Sequence, residues 1–115
     1  MPSETPSRKK GLAGGEVANA AEFVQYQDDS VVSREILRKP AGTVTIFAFD
    51  AGQGLSEHTA PFDALVQVLE GEAEILIAGK PRRLGPGDLI LLPAQQPHAV
   101  KAPRPFKMML TMIRS

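Results

Sequence analysis

The residues best suited to chemistry in this chain are His58 and His98, the only histidines among its 115 residues. A neutral imidazole is a good ligand for zinc, copper, nickel or iron. It can also act as an acid or a base, or bind a carboxylate, because its ordinary pKa is about 6.5. Two imidazoles alone would hold a metal weakly, since catalytic zinc sites usually use three protein ligands. The alternative is a pair of neutral, hydrogen-bonded histidines in a small-molecule pocket that holds no metal.

A third metal ligand would have to come from a polar residue near one of the histidines. The candidates are Asp63, Gln67, Glu57 and Gln95. Adjacent residues of a strand point to opposite faces, so if Ala64 points into the barrel, Asp63 points away from it. Pro61 could distort the strand and swing Asp63 inward, so we consider Asp63 as a third ligand beside His58 and His98.

Composition excludes several other kinds of site. The chain has no cysteine, which excludes disulfides, zinc–thiolate sites and cysteine nucleophiles. Thirteen basic residues balance thirteen acidic ones, so charge gives no reason to expect nucleic acid or an anionic membrane as a partner. No apolar stretch approaches the roughly 20 residues that span a bilayer, and we find no signal-peptide core. We therefore expect a cytoplasmic protein.

Short strands separated by turns are the elements that must position the histidines. Ten glycines and ten prolines favour many turns, and no long helical pattern competes. Strands are predicted at residues 22–26, 31–38, 43–50, 64–69, 72–78, 82–84, 89–92, 98–102 and 106–114, and residues 16–21 could form a helical turn. Such a series predicts an all-β barrel or sandwich. Residues 1–15 lack periodicity and are predicted to be a disordered, flexible arm, which leaves residues 16–115 as a single domain.

Two spaced motifs run through the region between the histidines. In the first, five residues separate Gly52 from His58, and Gly71 closes the motif. In the second, five residues separate Gly87 from Pro93, and His98 follows in register. This pattern resembles the cupins, small jelly-roll barrels also described as double-stranded β-helices, and it covers roughly residues 43–113. The resemblance implies an all-β cupin fold of the RmlC-like type.

The chain departs from the cupin pattern at positions that matter for chemistry. In metal-binding cupins, two histidines and a glutamate of the first motif and the histidine of the second hold the metal. Here Ala60 occupies the slot of the second histidine and Ala64 that of the glutamate. Of the implied ligands, only His58 and His98 remain. In the second motif, Gln95 replaces a glycine and an alanine replaces an asparagine.

Replacing a histidine and a glutamate by alanine should enlarge the cavity inside the barrel. Residues two apart on a strand share a face, so His58, Ala60 and Ala64 should point inward, with His98 facing them from another strand. The predicted pocket residues are Phe47, Ala60, Ala64, Val66, Gln67, Val68, Val100 and Met108, with Phe49 and Met112 as alternatives to Phe47 and Met108, and with either Ile90 or Leu92 beside them. An apolar pocket with few polar groups is typical of a ligand site. The alternative is that these side chains simply fill a small core.

Two functions remain open at this stage. The first is a small-molecule-binding cupin whose unassigned ligand lies between His58 and His98. The second is a metal-dependent cupin enzyme, an oxygenase, isomerase or decarboxylase, whose cofactor would be a divalent transition metal such as iron, zinc, nickel or copper. The sequence does not decide whether the protein is an enzyme.

The resemblance also implies a homodimer. The polar segment 16–32 is too poor in apolar residues to form a core by itself, and it could add a strand to the partner's sheet. The expected partners are therefore a small-molecule ligand and a second copy of the chain, with neither nucleic acid nor membrane.

Overall fold

The structure, a computed structural model, describes residues 11–114, and within them nine strands form two antiparallel sheets. The strands are β1 Val31–Lys39, β2 Gly42–Phe49, β3 Gly54–His58, β4 Asp63–Gly71, β5 Ala73–Ile77, β6 Lys80–Leu84, β7 Leu89–Leu92, β8 His98–Lys101 and β9 Phe106–Ile113. The prediction of an all-β chain is confirmed. Within these residues, no helix is both long and apolar enough to cross a bilayer.

Apart from the hairpins β1–β2 and β5–β6, neighbouring strands in both sheets come from distant parts of the chain. The larger sheet has the order β1-β2-β9-β4-β7, and the smaller has the order β3-β8-β5-β6. The main core cluster takes side chains from both, for example Val66 on β4 and Ile75 on β5, so the sheets pack face to face. Because β8 lies beside β3, His58 and His98, which are 40 residues apart in the chain, meet in one sheet.

One end of the barrel is filled by aromatic side chains. Phe49 and Phe106 are fully buried, and their rings stack with centroids 4.5 Å apart. Burial of each ring contributes about 1.5–3 kcal/mol. Phe106 pairs with Gly71 at the end of β4, whereas Met112 pairs with Ala64 near its start. The aromatic pair therefore closes the end of the barrel away from Ala64.

A second, smaller core lies on the outer face of the larger sheet, where the N-terminal segment covers β2. Asn19 caps a 3₁₀ turn, Ala20–Phe23, by accepting the backbone N–H of Ala21. Phe23 and Val24 then pack on the cluster formed by Ile46 and Ala48. The predicted strand at residues 22–26 is wrong. Adjacent strand residues point to opposite faces, whereas Phe23 and Val24 contact the same sheet face.

Lys107 fastens this segment to the sheet. Its Nζ donates a hydrogen bond of 2.6 Å to the backbone oxygen of Ala21 and lies 5.0 Å from the centre of the Tyr26 ring. The Tyr26 hydroxyl donates to Glu70 Oε2 at 2.7 Å. Burial, this hydrogen bond and the charge of Glu70 all raise the pKa of Tyr26. Lys107 is only 6% exposed, so its charge is satisfied locally rather than by water.

The last residues of the predicted flexible arm contact strand β1. Residues 1–10 lie outside the described residues. Gly11 is buried beside β1, and the backbone N–H of Leu12 donates to the carbonyl of Ile36 at 3.2 Å. The Glu16 side chain also accepts the N–H of Ala13. In the structure this part of the chain therefore lies against β1, and the division of the chain at residue 15 remains a prediction.

Candidate functional site

His58 and His98 are direct neighbours across two antiparallel strands. His58 ends β3, His98 begins β8, and the two are paired in the sheet register. Their rings meet edge to face, with centroids 4.4 Å apart and planes at 71°. The only two histidines of the chain are thus brought into contact by the topology of the smaller sheet.

A β-bulge gives His58 its inward direction. The paired positions Leu55–Val100 and His58–His98 are three residues apart on β3 and two apart on β8. The extra residue on β3 shifts its alternation by one. Leu55 and His58, which simple alternation would put on opposite faces, therefore line the same cavity as His98 and Val100.

The backbone sets the tautomer of both rings. Nδ1 of His58 lies 3.0 Å from the carbonyl oxygen of Ser56, and Nδ1 of His98 lies 3.3 Å from that of Gln96. A carbonyl oxygen can only accept, so in each ring Nδ1 carries the proton and donates. The Nε2 atom of each neutral ring is then unprotonated, and its lone pair can accept a hydrogen bond or bind a cation.

Burial keeps His98 neutral over a wider pH range than usual. The side chain is only 6% exposed, and burial lowers its pKa below the ordinary value. A positive charge on His58 lowers it further, while the hydrogen bond to Gln96 acts in the opposite direction. His58, by contrast, is exposed at the end of its strand. The pair therefore joins a buried, neutral imidazole to one within reach of solvent.

The two histidines lie at a small cavity inside the barrel, with a volume of about 60 Å³. Its described lining residues are Leu55, His58, Ala60, Ala64, Leu92, His98, Val100, Met108, Leu110 and Met112. Among them, only the histidines are polar. Electrostatic interactions are stronger in such surroundings than in water. The two Nε2 atoms would therefore dominate recognition of anything that enters.

Most of the predicted pocket residues either line the cavity or belong to the core beside it. Ala60, Ala64, Val100 and Met108 line the cavity, together with the alternatives Leu92 and Met112. Val66 and Phe47 belong to the core that adjoins it, where Phe47 stacks on Phe49 at 5.8 Å.

Gln67 does not reach the cavity. On β4 it alternates with Val66 and Val68, whose side chains form the inner core, so Gln67 points to the outer face of the sheet. Leu55 and Leu110 line the cavity but were not predicted. Leu110 could have been inferred, because it alternates with Met108 and Met112 on β9. Leu55 lies just before the bulge, which the sequence does not signal.

Asp63 lies beside the site but does not line the cavity. It is exposed, and its Oδ1 accepts a hydrogen bond of 2.8 Å from the backbone N–H of Ala94. Glu57 and Gln95, the other proposed third ligands, are also exposed and do not line the cavity. Within residues 11–114, no three side chains of histidine, cysteine, aspartate or glutamate come together as a metal cluster would.

The loop before His98 is tied to the segment after His58 by its backbone. The N–H of Gln95 donates to the carbonyl of Ala60 at 2.8 Å. Gln95 itself has a φ of 67°, in the left-handed region that favours glycine. Strained residues of this kind persist where the surrounding structure fixes them. The contact holds the loop that carries His98 against the strand connection that follows His58.

The family model and the solved structures that match this chain point to the same family. The family model described as "Cupin domain" matches residues 45–114. The crystal structure of a conserved protein of unknown function from Streptococcus pyogenes aligns with a TM-score of 0.86 and 31% identity, over 92% of this chain and 93% of that one. A cupin 2 conserved barrel domain protein from Leptotrichia buccalis aligns with a TM-score of 0.78 and 42% identity, over 81% of this chain and 45% of that one.

One enzyme is among the similar proteins. The dimethylsulfoniopropionate lyase DddQ of Ruegeria pomeroyi is 47% identical over 51 residues, which is 43% of this chain and 25% of the lyase. Its crystal structure aligns with a TM-score of 0.68 and 29% identity, over 74% of this chain and 47% of that one. The matched sequence thus spans about a quarter of the length of this curated relative.

Proposed function

The chain belongs to the cupin family, and we propose that it binds a small organic molecule in the cavity at His58 and His98. The observation that carries this proposal is a pair of histidines at one otherwise apolar cavity, each with Nδ1 at a backbone carbonyl, so that Nε2 is the acceptor atom of each ring when the ring is neutral. The family match and the two-sheet topology confirm the jelly-roll fold that the sequence motifs implied.

The residues present do not fit the four-ligand metal centre implied by the family. Two of its positions carry the methyl groups of Ala60 and Ala64, which have no atom that can bind a metal. Asp63 could have supplied an oxygen, but it accepts the N–H of Ala94 instead. Two nitrogen donors remain, fewer than the three protein ligands usual in catalytic zinc sites. A carboxylate-containing centre for iron, zinc or nickel is therefore not supported.

The chemistry of the cavity defines the kind of organic ligand it would take. Neutral imidazoles accept hydrogen bonds at Nε2, so the ligand needs a hydroxyl, an ammonium or another O–H or N–H donor. Its remaining atoms would contact apolar side chains such as Leu55, Val100 and Leu110. The cavity of about 60 Å³ has room for about four to six water molecules, at roughly 10–15 Å³ each. We therefore expect a ligand of only a few non-hydrogen atoms, or a larger one that enters from the exposed side at His58.

A screen of short-chain alcohols, amines and primary amides, all of which carry an O–H or N–H donor, tests this proposal. Binding would be detected by ligand-observed NMR and quantified by titration calorimetry. His58→Ala removes one acceptor, and Ala64→Val fills the cavity without changing a histidine. Leu65→Val is the matched control, because Leu65 is exposed on the outer face of the same strand.

We expect His58→Ala and Ala64→Val each to weaken binding by at least about tenfold, the loss of roughly 1.4 kcal/mol, while Leu65→Val leaves it unchanged. If both cavity variants bind as tightly as the wild type, the ligand site lies elsewhere. Failure of every compound in the panel to bind would also contradict the proposal.

A second candidate function, an enzyme, is favoured by the similarity to the dimethylsulfoniopropionate lyase. Two unprotonated imidazole nitrogens could remove a proton from a bound substrate, since general-base catalysis needs an acceptor of suitable pKa within hydrogen-bond reach. Incubation with dimethylsulfoniopropionate, followed by proton NMR, tests it directly. Elemental analysis of the same sample for iron, zinc, nickel and copper tests the metal-dependent version. Turnover that His98→Gln abolishes would support the enzyme over the binding protein.

The homodimer and the cytoplasmic location remain predictions. In the structure, the segment that could exchange between subunits instead covers its own sheet, where Val24 is buried. Light scattering of the full chain and of a variant that lacks residues 1–29 would test the exchange. A truncated chain that is still a stable dimer would contradict it.

A further inference from the structure

Two thioether sulfurs share the cavity with the histidines, and the organic ligand proposed above makes no use of them. Met108 and Met112 both line the cavity, along with His58 and His98. A thioether is a soft, polarisable ligand that favours monovalent copper, and imidazole also binds copper. The cavity therefore offers four uncharged donor groups, two imidazole nitrogens and two thioether sulfurs, although it lacks a carboxylate.

The position of Met112 is set by the sheet register. Met112 pairs directly with Ala64, the position at which the cupin motif has its glutamate. Alternation along β9 turns Met108 and Met112 inward and Met109 outward, into the cluster on the other face. A methionine thus stands next to the place where the family's only negatively charged ligand is missing.

Met112 and the two histidines line the same small cavity, of about 60 Å³. The rings of His58 and His98 are already in contact there, with centroids 4.4 Å apart. Methionine has three rotatable bonds and adapts easily, so a modest rotation of Met112 would direct its sulfur towards the two rings. The imidazoles need no such change, because the carbonyls of Ser56 and Gln96 already hold both Nε2 lone pairs unprotonated.

We propose that this cavity binds monovalent copper through Nε2 of His58, Nε2 of His98 and Sδ of Met112. An apolar cavity without a carboxylate suits an ion of single charge, because desolvation costs much more for a divalent ion. Magnesium, manganese and calcium prefer oxygen ligands, which the lining residues do not supply. The inference goes beyond the proposed organic ligand and shares with it only the assumption that this cavity is the binding site.

Anaerobic titration with the coloured complex of monovalent copper and bicinchoninate tests the inference, since transfer of copper to the protein bleaches the complex. Met112→Leu keeps the shape of the side chain and removes only the thioether. Met109→Leu is the matched control on the outer face of the same strand. His58→Ala removes one nitrogen at an exposed position, where the fold should tolerate the change.

We expect the wild-type chain and Met109→Leu to take up about one equivalent of copper, Met112→Leu to bind at least about tenfold more weakly, and His58→Ala to lose most of the affinity. Equal concentrations of zinc or nickel should not displace the ion. Copper uptake that is the same in Met112→Leu and the wild type would overturn the inference, as would displacement by zinc.

The outcomes separate this inference from the proposed function. If organic compounds bind in a manner sensitive to Ala64→Val but copper does not bind, the copper site is refuted and the organic ligand site stands. If copper binds as expected but no organic compound does, the proposed function fails and the copper site stands. Copper bound equally by the wild type and His58→Ala would refute the copper site, because the ion would then lie elsewhere.

Discussion

Oδ1 of Asp63 accepts a hydrogen bond of 2.8 Å from the backbone N–H of Ala94, which ties the start of β4 to the loop that leads into His98. The N–H of Gln95 donates to the carbonyl of Ala60 in the same region. The two segments that carry the histidines are therefore held together by contacts that lie outside the cavity. Asp63 therefore positions the loop before His98. The place of Asp63 in the sequence, next to the glutamate slot of the motif, did not suggest this role.

Asp63→Ala should lower the free energy of unfolding by about 1–2 kcal/mol, because the N–H of Ala94 loses a charged acceptor. Asp63→Asn keeps an acceptor oxygen and should lose less. Urea denaturation checks both, with Glu57→Ala as the control at an exposed position. A variant Asp63→Ala that is as stable as the wild type, yet loses a bound metal, would make Asp63 a ligand instead.

Gln95→Gly should stabilise the protein by up to about 1 kcal/mol, since a left-handed conformation costs an ordinary residue roughly 1–2 kcal/mol and glycine offsets part of this by its greater chain entropy. Gln96 is the matched control, because its φ is not positive. Gln96→Gly should therefore destabilise. Thermal unfolding of the two variants gives the sign, and a loss of stability in Gln95→Gly would show that its side chain contributes more than the strain costs.

The backbone conformation at Gln95 is one of the features that the sequence motif predicted. The cupin motif has a glycine there, and the φ of 67° gives the physical reason. The motif spacing predicted that His58 and His98 would share a site, and the topology brings them into contact. Most strands were predictable for a similar reason, because turn residues and alternating apolar residues are local signals.

The rest depends on contacts that no local pattern encodes. The alternation at Phe23 and Val24 is typical of a strand, but packing on Ile46 and the cap at Asn19 favour a 3₁₀ turn. The bulge before His58 comes from pairing with β8 and not from a glycine or proline at that point. Alternation already indicated that Asp63 faces away from the cavity, whereas its bond to Ala94 required the folded loop.

Stability should fall as the pH drops below about 6.5, because the pKa of His98 is lowered in the folded state. The unfolded chain then binds a proton at a higher pH than the folded one, so acid favours unfolding. The contribution is fully present above the ordinary value and is lost between that value and the lower folded pKa. Urea midpoints measured from about pH 8 to pH 5 test this, and His98→Gln should reduce the slope. If the urea midpoint of His98→Gln depends on pH as steeply as that of the wild type, other titratable groups cause the pH dependence.

Lys107→Met should lower the free energy of unfolding by about 1.5–3 kcal/mol, the usual contribution of a hydrogen bond to a charged group. The N-terminal segment loses the bond to Ala21 and the contact with Tyr26. Hydrogen exchange at Val24 should increase before the rest of the barrel is affected. Lys101→Met, at an exposed lysine, is the control. Equal exchange in both variants would contradict the role of Lys107.

The protonation state of the two imidazoles decides what this cavity can bind, and long-range proton–nitrogen NMR of the histidines measures it. We expect spectra of the ligand-free protein to show both rings protonated at Nδ1 and unprotonated at Nε2, as the bonds to Ser56 and Gln96 require. Addition of a binding compound should shift both Nε2 signals in the wild type but not in Ala64→Val. Rings protonated at Nε2, or signals that stay fixed while the compound binds, would contradict the claim that this cavity is the functional site.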